Sequence, residues 1–561
     1  MIESPGPAPL SRGLRRVSPA APPGKTLSLA AFCVPDIAMV AAMAAVFYLF
    51  LLFGGATRLF HDSDAGWHIR NGERILQTLS IPRVDPFSFS RPGAAWSAWE
   101  WGADVITGAV HSAAGLGGVA TLYGIAIGAT VWMWFRLNWA AGGNFLLACL
   151  FAAPMMSTVN LHWLARPHVF GWLFMLASFW IAERWINQSL PRRLTARGLI
   201  GIAAFTAIWA NIHASFFFAP AVFSIYGAGT WLRRFVWSAS PPVSPRPFFL
   251  AALVSGLATL ANPAGWHLDA HVFSYLSDSA LLDRIGEFQS FNFHSAGALQ
   301  ISLALALTFA GAFAALAARR PERFLFSLLL ALAAIRSARA LPVAALLALP
   351  LANGSISEVL SLARGLARPL RQWLDGALSY GDRLRAMDRQ FNGAVLIPLV
   401  ACCVFVFAGP RAGFPPSEFP VAASSAVAKL PADARIFAPD KFGGYLIYRF
   451  GSDSLSGQAN LPANTRPDNT RRVFFDGRSD FYGADFLDSY GRMIGARPGW
   501  QVDFARWNFT HALLPPGAAL TAALAADGWD ELYRDGTAVL MAPTPTPRRA
   551  TAGKTPDKAN F

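Results

Sequence analysis

Cysteine is nearly absent: Cys33, Cys149, Cys402 and Cys403 are the only four in 561 residues, and all lie in or beside apolar runs. Without metal-ligand spacing among them, they exclude a disulfide framework and a zinc site. Charge is scarce too, at 14% of residues, where a soluble protein carries about a quarter. Lysine is the scarcest charge of all, because the basic residues are nearly all arginine. The chain has no glycine-rich phosphate loop, no Gly-x-Ser-x-Gly elbow and no dinucleotide fingerprint. Nothing therefore supports an ATP or nucleotide-sugar site. No internal repeat stands out, which weighs against an inverted-repeat transporter.

What the chain has in abundance is apolar sequence. Hydrophobic residues make up 54% and the mean hydropathy is +0.37, which defines a polytopic α-helical membrane protein with some soluble remainder. The net charge of +14 does not indicate nucleic acid. The arginines cluster in short loops between apolar runs, the pattern that orients spans and meets lipid headgroups.

Residues 1–35, rich in Pro, Ala and Ser with Arg12, Arg15, Arg16 and Lys25, read as a disordered cytoplasmic tail. The apolar run after them is too long for a cleaved signal. Asp36–Ala56 is the first span, and residues 57–116 form a long first outer loop. Within it, helical spacing over Trp67–Leu79 predicts an interfacial helix. Residues 101–115 are read as another, and Trp96, Trp99 and Trp101 as an aromatic belt around Glu100. Further spans are expected near 117–135, 141–157, 167–184, 198–212, 214–232, 248–262, 298–317, 323–337, 339–352 and 393–409. About eleven spans over 36–409, with the N-terminus inside, place Arg192-Arg193, Arg233-Arg234, Arg319-Arg320 and the Arg364–Arg389 series in the cytoplasm.

Residues 410–545 change character. Apolar runs shorten to strand length at 434–438, 444–450, 472–475, 512–514, 531–533 and 538–541, helices fit 482–496 and 518–527, and Asp535-Gly536 signals a hairpin. This predicts a small extracytoplasmic α/β domain, in which Asp476-Gly477-Arg478-Ser479-Asp480 reads first as turn chemistry. Residues 546–561 read as a disordered tail. The Arg-heavy, Lys-poor basic content fits a GC-rich bacterium, hence the cytoplasmic (inner) membrane.

The candidate site lies at the outer ends of the spans. His61-Asp62-Ser63-Asp64-Ala65-Gly66-Trp67-His68 brings two carboxylates, two imidazoles and an indole together at a membrane exit, where desolvating charge is costly. Asp85, Glu100, Arg166, His168, His213 and Glu287 fall on the same expected side. Arg336 and Arg339 also fall outside, against the positive-inside rule. A guanidinium there has two readings: it matches phosphate oxygens bidentately, or it pairs structurally with Glu287 or Asp85.

These pieces resemble the GT-C superfamily of integral-membrane glycosyltransferases: acidic residues entering the first outer loop straight from span one, an interfacial helix, many spans and an external C-terminal domain. More closely, Asp62-Ser63-Asp64-Ala65-Gly66-Trp67-His68-Ile69-Arg70-Asn71-Gly72-Glu73 with Pro82 and Asp85-Pro86-Phe87-Ser88 resembles a group of bacterial GT-C-like membrane proteins. Ala165-Arg166-Pro167-His168, Trp209-Ala210-Asn211-Ile212-His213, Asn262-Pro263, Gly443-Gly444-Tyr445-Leu446 and Asp476-Gly477-Arg478 are similar to that group as well. The resemblance implies a transferase that takes sugar from a polyprenyl-phosphate donor at the outer face. A first-loop carboxylate, Asp64 or else Asp62, would serve as general base or metal ligand. The chain lacks the adjacent Asp-Glu pair of protein mannosyltransferases and any recognisable sequon-reading motif. The acceptor (glycan, lipid or protein) and the metal (Mg²⁺ or Mn²⁺, or none) therefore stay open.

The residues agree with that chemistry. An acceptor hydroxyl attacking an anomeric carbon needs a carboxylate to take its proton, and a departing lipid phosphate needs positive charge. Asp64 and Arg336 or Arg339 meet these needs, and a single displacement would invert the anomeric centre. His68 either orients Asp64 or the acceptor, or packs one helical turn away. Two other classes compete. A lipid or glycan transporter or flippase predicts charge deep in mid-span, whereas a non-catalytic scaffold predicts that the external domain alone carries function.

Overall fold

The computed structural model describes residues 29–187, 194–237, 243–451 and 471–544. The expected tails up to 28 and from 546, and Arg192-Arg193, lie outside the described residues. The first apolar run folds as α1 (Ile37–Phe47), prolonged by a π-turn to Leu52. Asp36 caps it by accepting the Met39 amide at 2.8 Å. The segment after it forms α2 (Asp64–Thr78). Next comes α3 (Trp101–Ala140), a 40-residue rod. At 1.5 Å per residue it is about 60 Å long, roughly twice the hydrocarbon thickness. It breaks at Gly115 (φ +59°, ψ −159°), a conformation that glycine adopts without Cβ strain. The stretch read as an interfacial helix at 101–115 and the span read from 117 are thus two limbs of one element.

The bundle continues with α4 (Phe145–Val159), α5 (His168–Ile186), α6 (Ala196–Ile212), α7 (Phe218–Trp237), α8 (Arg246–Ala258), α9 (Trp266–Ser277), α10 (Ala298–Ala317), α11 (Pro321–Arg336), α12 (Ala340–Leu362), α13 (Arg368–Asp388) and α14 (Leu396–Cys403). Among the described residues, seven helical segments are long and apolar enough to cross a membrane: Ala31–Leu52, Trp101–Ala140, Phe145–His162, His168–Ile186, Ala214–Trp237, Ala298–Ala317 and Ala340–Leu362. Ala196–Ile212, Arg246–Ala258 and Leu396–Arg411 are shorter apolar helices. A buried fork ties α5, α7 and α11 together. Arg323 donates to Glu183 at 2.9 and 2.6 Å, and Tyr226 donates to the same carboxylate at 2.6 Å.

The C-terminal unit contains β1 (Ile436–Phe437), α15 (Asp440–Phe450), α16 (Ala484–Ile494), β2 (His511–Leu514), α17 (Ala519–Ala526), β3 (Trp529–Arg534) and β4 (Val539–Pro543). The sheet order is β1-β2-β4-β3, with β1 parallel to β2 and the other pairs antiparallel. The Asp535-Gly536 turn closes β3 on β4, and Asp535 accepts the Thr537 and Ala538 amides. Two expected strands differ. Residues 444–450 belong to α15, whose Phe442, Leu446 and Phe450 enter the domain core while Tyr445 joins the bundle core. Gly444–Ile447 is a short run of consecutive buried residues, too brief to show a period that separates strand from helix, and only Arg449 beyond it is exposed. Residues 472–475 stay outside the sheet, and Val473 instead bridges to Ser88 of the first loop.

Helix α2 is wedged between α3 and α15 rather than lying on a membrane surface, and glycine makes both contacts possible. A Cβ at Gly66 would overlap the Gly444 carbonyl oxygen, and one at Gly72 the Asp104 carbonyl. Gly66→Ala is expected to cost about 1–3 kcal/mol through overpacking, read as a lower unfolding midpoint in detergent micelles. Gly201→Ala, in a helix with nothing near its Cβ position, should leave the midpoint unchanged or slightly raised.

Candidate active site

The wedge of α2 opens a cavity of about 1150 Å³ between the bundle and the C-terminal unit. Its centre is Arg166, on the turn that leads into α5. Arg166 reaches Asp62 at 2.6 Å, Asp64 at 2.8 Å and Glu287 at 3.0 Å. Asp62 also accepts the Asp64 amide at 2.9 Å, which fixes the start of α2. Glu287 turns its other oxygen to Arg339 at 3.2 Å, and Arg339 stacks over Phe288 at 5.3 Å. Of the two readings of Arg339, the structure makes the ion pair with Glu287. Arg336 lines the same cavity, is exposed and has no ion pair among the described residues.

Three carboxylates around one guanidinium leave excess negative charge in a dry place. Burial pushes Asp64 up to about 7 against the pull of Arg166, and Asp62 and Glu287 add to the push. For Glu287 burial acts in the same direction, but Arg166 and Arg339 outweigh it and hold the carboxyl below its usual range. Burial likewise opposes the charge on Arg166, and the three carboxylates overcome it, so its pKa lies well above the ordinary value.

A second group sits beside the first. His68 does not face Asp64. It is 1% exposed, its Nδ1 lies 2.6 Å from Asp104 Oδ1, and its Nε2 lies 3.7 Å from Glu100. Asn71 donates to the other Asp104 oxygen at 2.6 Å. His213 Nε2 approaches Glu100 from the opposite side at 3.4 Å. Burial pushes Glu100 up to about 7, with His68 opposing, and pushes His68 down to about 3. Burial therefore disfavours the charged imidazolium at His68, whose ring Asp104 holds in place. His168 also lines the cavity, and its Nε2 contacts the His162 carbonyl at 2.8 Å.

The predicted residues separate accordingly. Asp62, Asp64, Arg166, Glu287 and Arg339 form one ion-paired cluster, His68, Glu100 and His213 a second, and Arg336 and His168 line the same cavity. Asp85 is not among the lining residues: it is buried, accepts the Phe87 and Ser88 amides at 3.0 and 2.9 Å, and receives Arg478 at 2.9 Å. Of the three tryptophans around Glu100, Trp96 and Trp99 line the cavity with it. Trp96 packs edge-on to Trp67 at 6.1 Å and Trp99 edge-on to His271 at 5.1 Å, while Trp101 donates to Asn211 at 2.8 Å.

The turn at 476–480 is both turn and cavity wall. Arg478 forks onto Asp476 at 2.7 Å from each of two nitrogens, and Tyr482 donates to Asp476 at 2.8 Å. That local lock presents Gly477 to Asp64, where a Cβ would overlap Asp64 Oδ1. Asp440 and Lys441, at the start of α15, line the cavity as well. Sequence reasoning missed Asp104 and the wall from α15. A carboxylate in an otherwise apolar helix was the available signal for Asp104. Gly477→Ala should lower turnover at least tenfold while keeping the far-ultraviolet spectrum, because any relief of the overlap displaces Asp64. A steady-state assay beside circular dichroism checks this.

The fold and this cavity define a class: a polytopic helical membrane protein with a small C-terminal sheet region. The particular likenesses are to the Archaeoglobus fulgidus oligosaccharyltransferase. Its crystal structure tethered with an acceptor peptide containing the NVT sequon matches with a TM-score of 0.50 and 11% identity, covering 85% of this chain and 68% of that one. The archaeal oligosaccharyltransferase AglB from the same organism, in complex with an inhibitory peptide and a dolichol-phosphate, matches with a TM-score of 0.51 and 12% identity, covering 85% and 69%. No family model and no curated protein matches the chain. At such identities the likeness is one of fold.

Proposed function

We propose that this protein transfers a sugar from a polyprenyl-phosphate-linked donor to an acceptor hydroxyl at the outer membrane face. The carrying observation is that one cavity joins three different needs. Arg336 and Arg339 offer guanidinium charge, and Trp172, Met175, Leu330 and Val343 form an apolar wall for a prenyl chain. Asp64 is a carboxylate with a raised proton affinity. The dolichol-phosphate and acceptor peptide held by structures of the same fold support this reading.

In this account the acceptor oxygen attacks the anomeric carbon while Asp64 Oδ takes its proton. The bond between that carbon and the phosphate oxygen breaks, and the lipid phosphate leaves onto Arg336 and Arg339. One displacement inverts the anomeric centre. Arg166 holds Asp64 in place and compensates Asp62 and Glu287. The carboxylates Asp62, Asp64 and Glu287 are hard-oxygen donors of the kind Mg²⁺ or Mn²⁺ takes. All three, however, are drawn onto Arg166, and no group of three His, Cys, Asp or Glu among the described residues is arranged to hold a metal. The residues as arranged do not fit that ion, and no step here passes through it.

The pH dependence follows from the base. Asp64 accepts a proton only when ionised, so kcat/KM should rise with pH through about 7 and then level off; a pH–rate profile checks this. The donor assignment is tested by titrating a polyprenyl monophosphate into the protein in nanodiscs. Arg336→Ala and Arg339→Ala should each weaken binding about 10- to 100-fold, the loss of a hydrogen bond to a charged group. Arg389→Ala, remote from the cavity, should not. Unchanged affinity in both cavity variants would remove the phosphate from that end of the site.

A further inference from the structure

We infer that α13 is a membrane-surface helix that inserts one apolar stripe into the acyl boundary and docks on anionic lipid headgroups through its arginines. Leu370, Trp373, Ala377, Tyr380, Leu384 and Met387 recur every three or four residues, which puts them in one row. Leu370, Trp373, Tyr380 and Met387 are 48%, 67%, 49% and 60% exposed, Ala377 and Leu384 are half-buried, and only Arg383 of the same helix lies over the Tyr380 ring, so among the described residues no other element covers the exposed part of the row.

A different side of the helix holds it to the bundle. Asn144 donates to the Leu378 carbonyl at 3.3 Å, and Gly381 packs against the Asn144 side chain. Arg385 lies over Trp139 at 3.9 Å, and Asp388 accepts the Ile37 amide at 2.7 Å. At about 100° per residue these anchors lie roughly a quarter turn from the stripe. One side is therefore fixed on the ends of α1, α3 and α4, which leaves the stripe free of those anchors. The flanking elements supply the occupant. Helix α13 connects the membrane span α12 to the apolar helix α14, so it runs beside lipid.

Charge complements the same partner. Arg371 pairs with Asp375 at 2.7 Å and Arg385 with Asp388 at 3.1 Å. Arg364, Arg368, Arg383 and Arg389 have no carboxylate partner among the described residues. Arg368 and Arg389 fall on the polar face opposite the stripe and Arg383 at its edge, and an arginine-rich polar face behind an apolar stripe is the composition that binds an anionic bilayer surface.

The test uses the full chain with its four cysteines changed to serine, reconstituted in nanodiscs of phosphatidylcholine alone or mixed with phosphatidylglycerol. Spin labels are placed at Trp373→Cys, at Met387→Cys as a second stripe position, and at Ser379→Cys on the exposed polar side. The stripe labels should be more accessible to oxygen than to a water-soluble nickel chelate, and the Ser379 label the reverse. Phosphatidylglycerol should deepen the stripe labels, and combined Arg368→Gln, Arg383→Gln and Arg389→Gln should remove that dependence. Stripe labels as open to nickel as the Ser379 label would overturn the inference. So would stripe labels shielded from both reagents, which would mean that a protein, such as a second copy, covers the row.

Discussion

Asp64→Asn is expected to lower turnover about 10²- to 10⁴-fold, the range for loss of a general base, while donor binding and the unfolding midpoint change little. The amide keeps the size of the carboxylate and can still accept from Arg166, so geometry survives and only the proton acceptor is lost. Asp62→Asn separates the two first-loop carboxylates. Asp62 already accepts the Asp64 amide and Arg166, which makes it a positioning group, and its loss should cost far less. Steady-state rates for the two variants, beside donor binding by each, check the assignment. Equal loss in both would mean that the pair acts as one unit.

Arg166→Ala is expected to have the largest effect on stability. It leaves Asp62, Asp64 and Glu287 facing one another with their shared guanidinium gone. Removing one partner of a buried ion cluster costs about 3–5 kcal/mol. The deficit should depend on pH in a defined direction. Without Arg166 the burial that already raises Asp64 to about 7 acts unopposed, so its folded-state pKa lies further above its unfolded value. Stability is then largest where Asp64 is protonated and is lost as pH rises through its folded-state value. Unfolding midpoints should therefore separate from wild type more at pH 8 than at pH 5. Arg166→Lys restores the charge but not the fork that reaches three carboxylates, and should recover only part of the loss.

Much of the candidate site was legible because charge at a membrane boundary is rare. Asp62 and Asp64 stood out on that ground, Arg339 by breaking the positive-inside rule, and Glu287 only as a pairing partner for it, while Arg166 followed by analogy; all five line one cavity. Their pairing was not legible. His68 lies one turn from Asp64 on α2, yet its ring turns to Asp104, 36 positions away, and spacing along one helix says nothing of what packs beside it. Gly477 meets Asp64 across more than 400 residues, a contact set by the docking of α15 on α2. The helices were readable from long apolar runs. Strand and helix became indistinguishable at 444–450, where four consecutive buried residues left too short a stretch to show a period. The break at Gly115 was hidden because glycine occurs throughout the apolar sequence, and only its backbone angles mark this one.

The most direct measurement is donor turnover by the wild-type protein in nanodiscs, across a panel of radiolabelled polyprenyl-phosphate sugars. Release of the lipid phosphate is followed with and without candidate acceptors. The account predicts that one donor class binds and is consumed, by transfer or by slow hydrolysis, and that free polyprenyl monophosphate competes with it. Binding of none, with the protein folded and monodisperse, would contradict it.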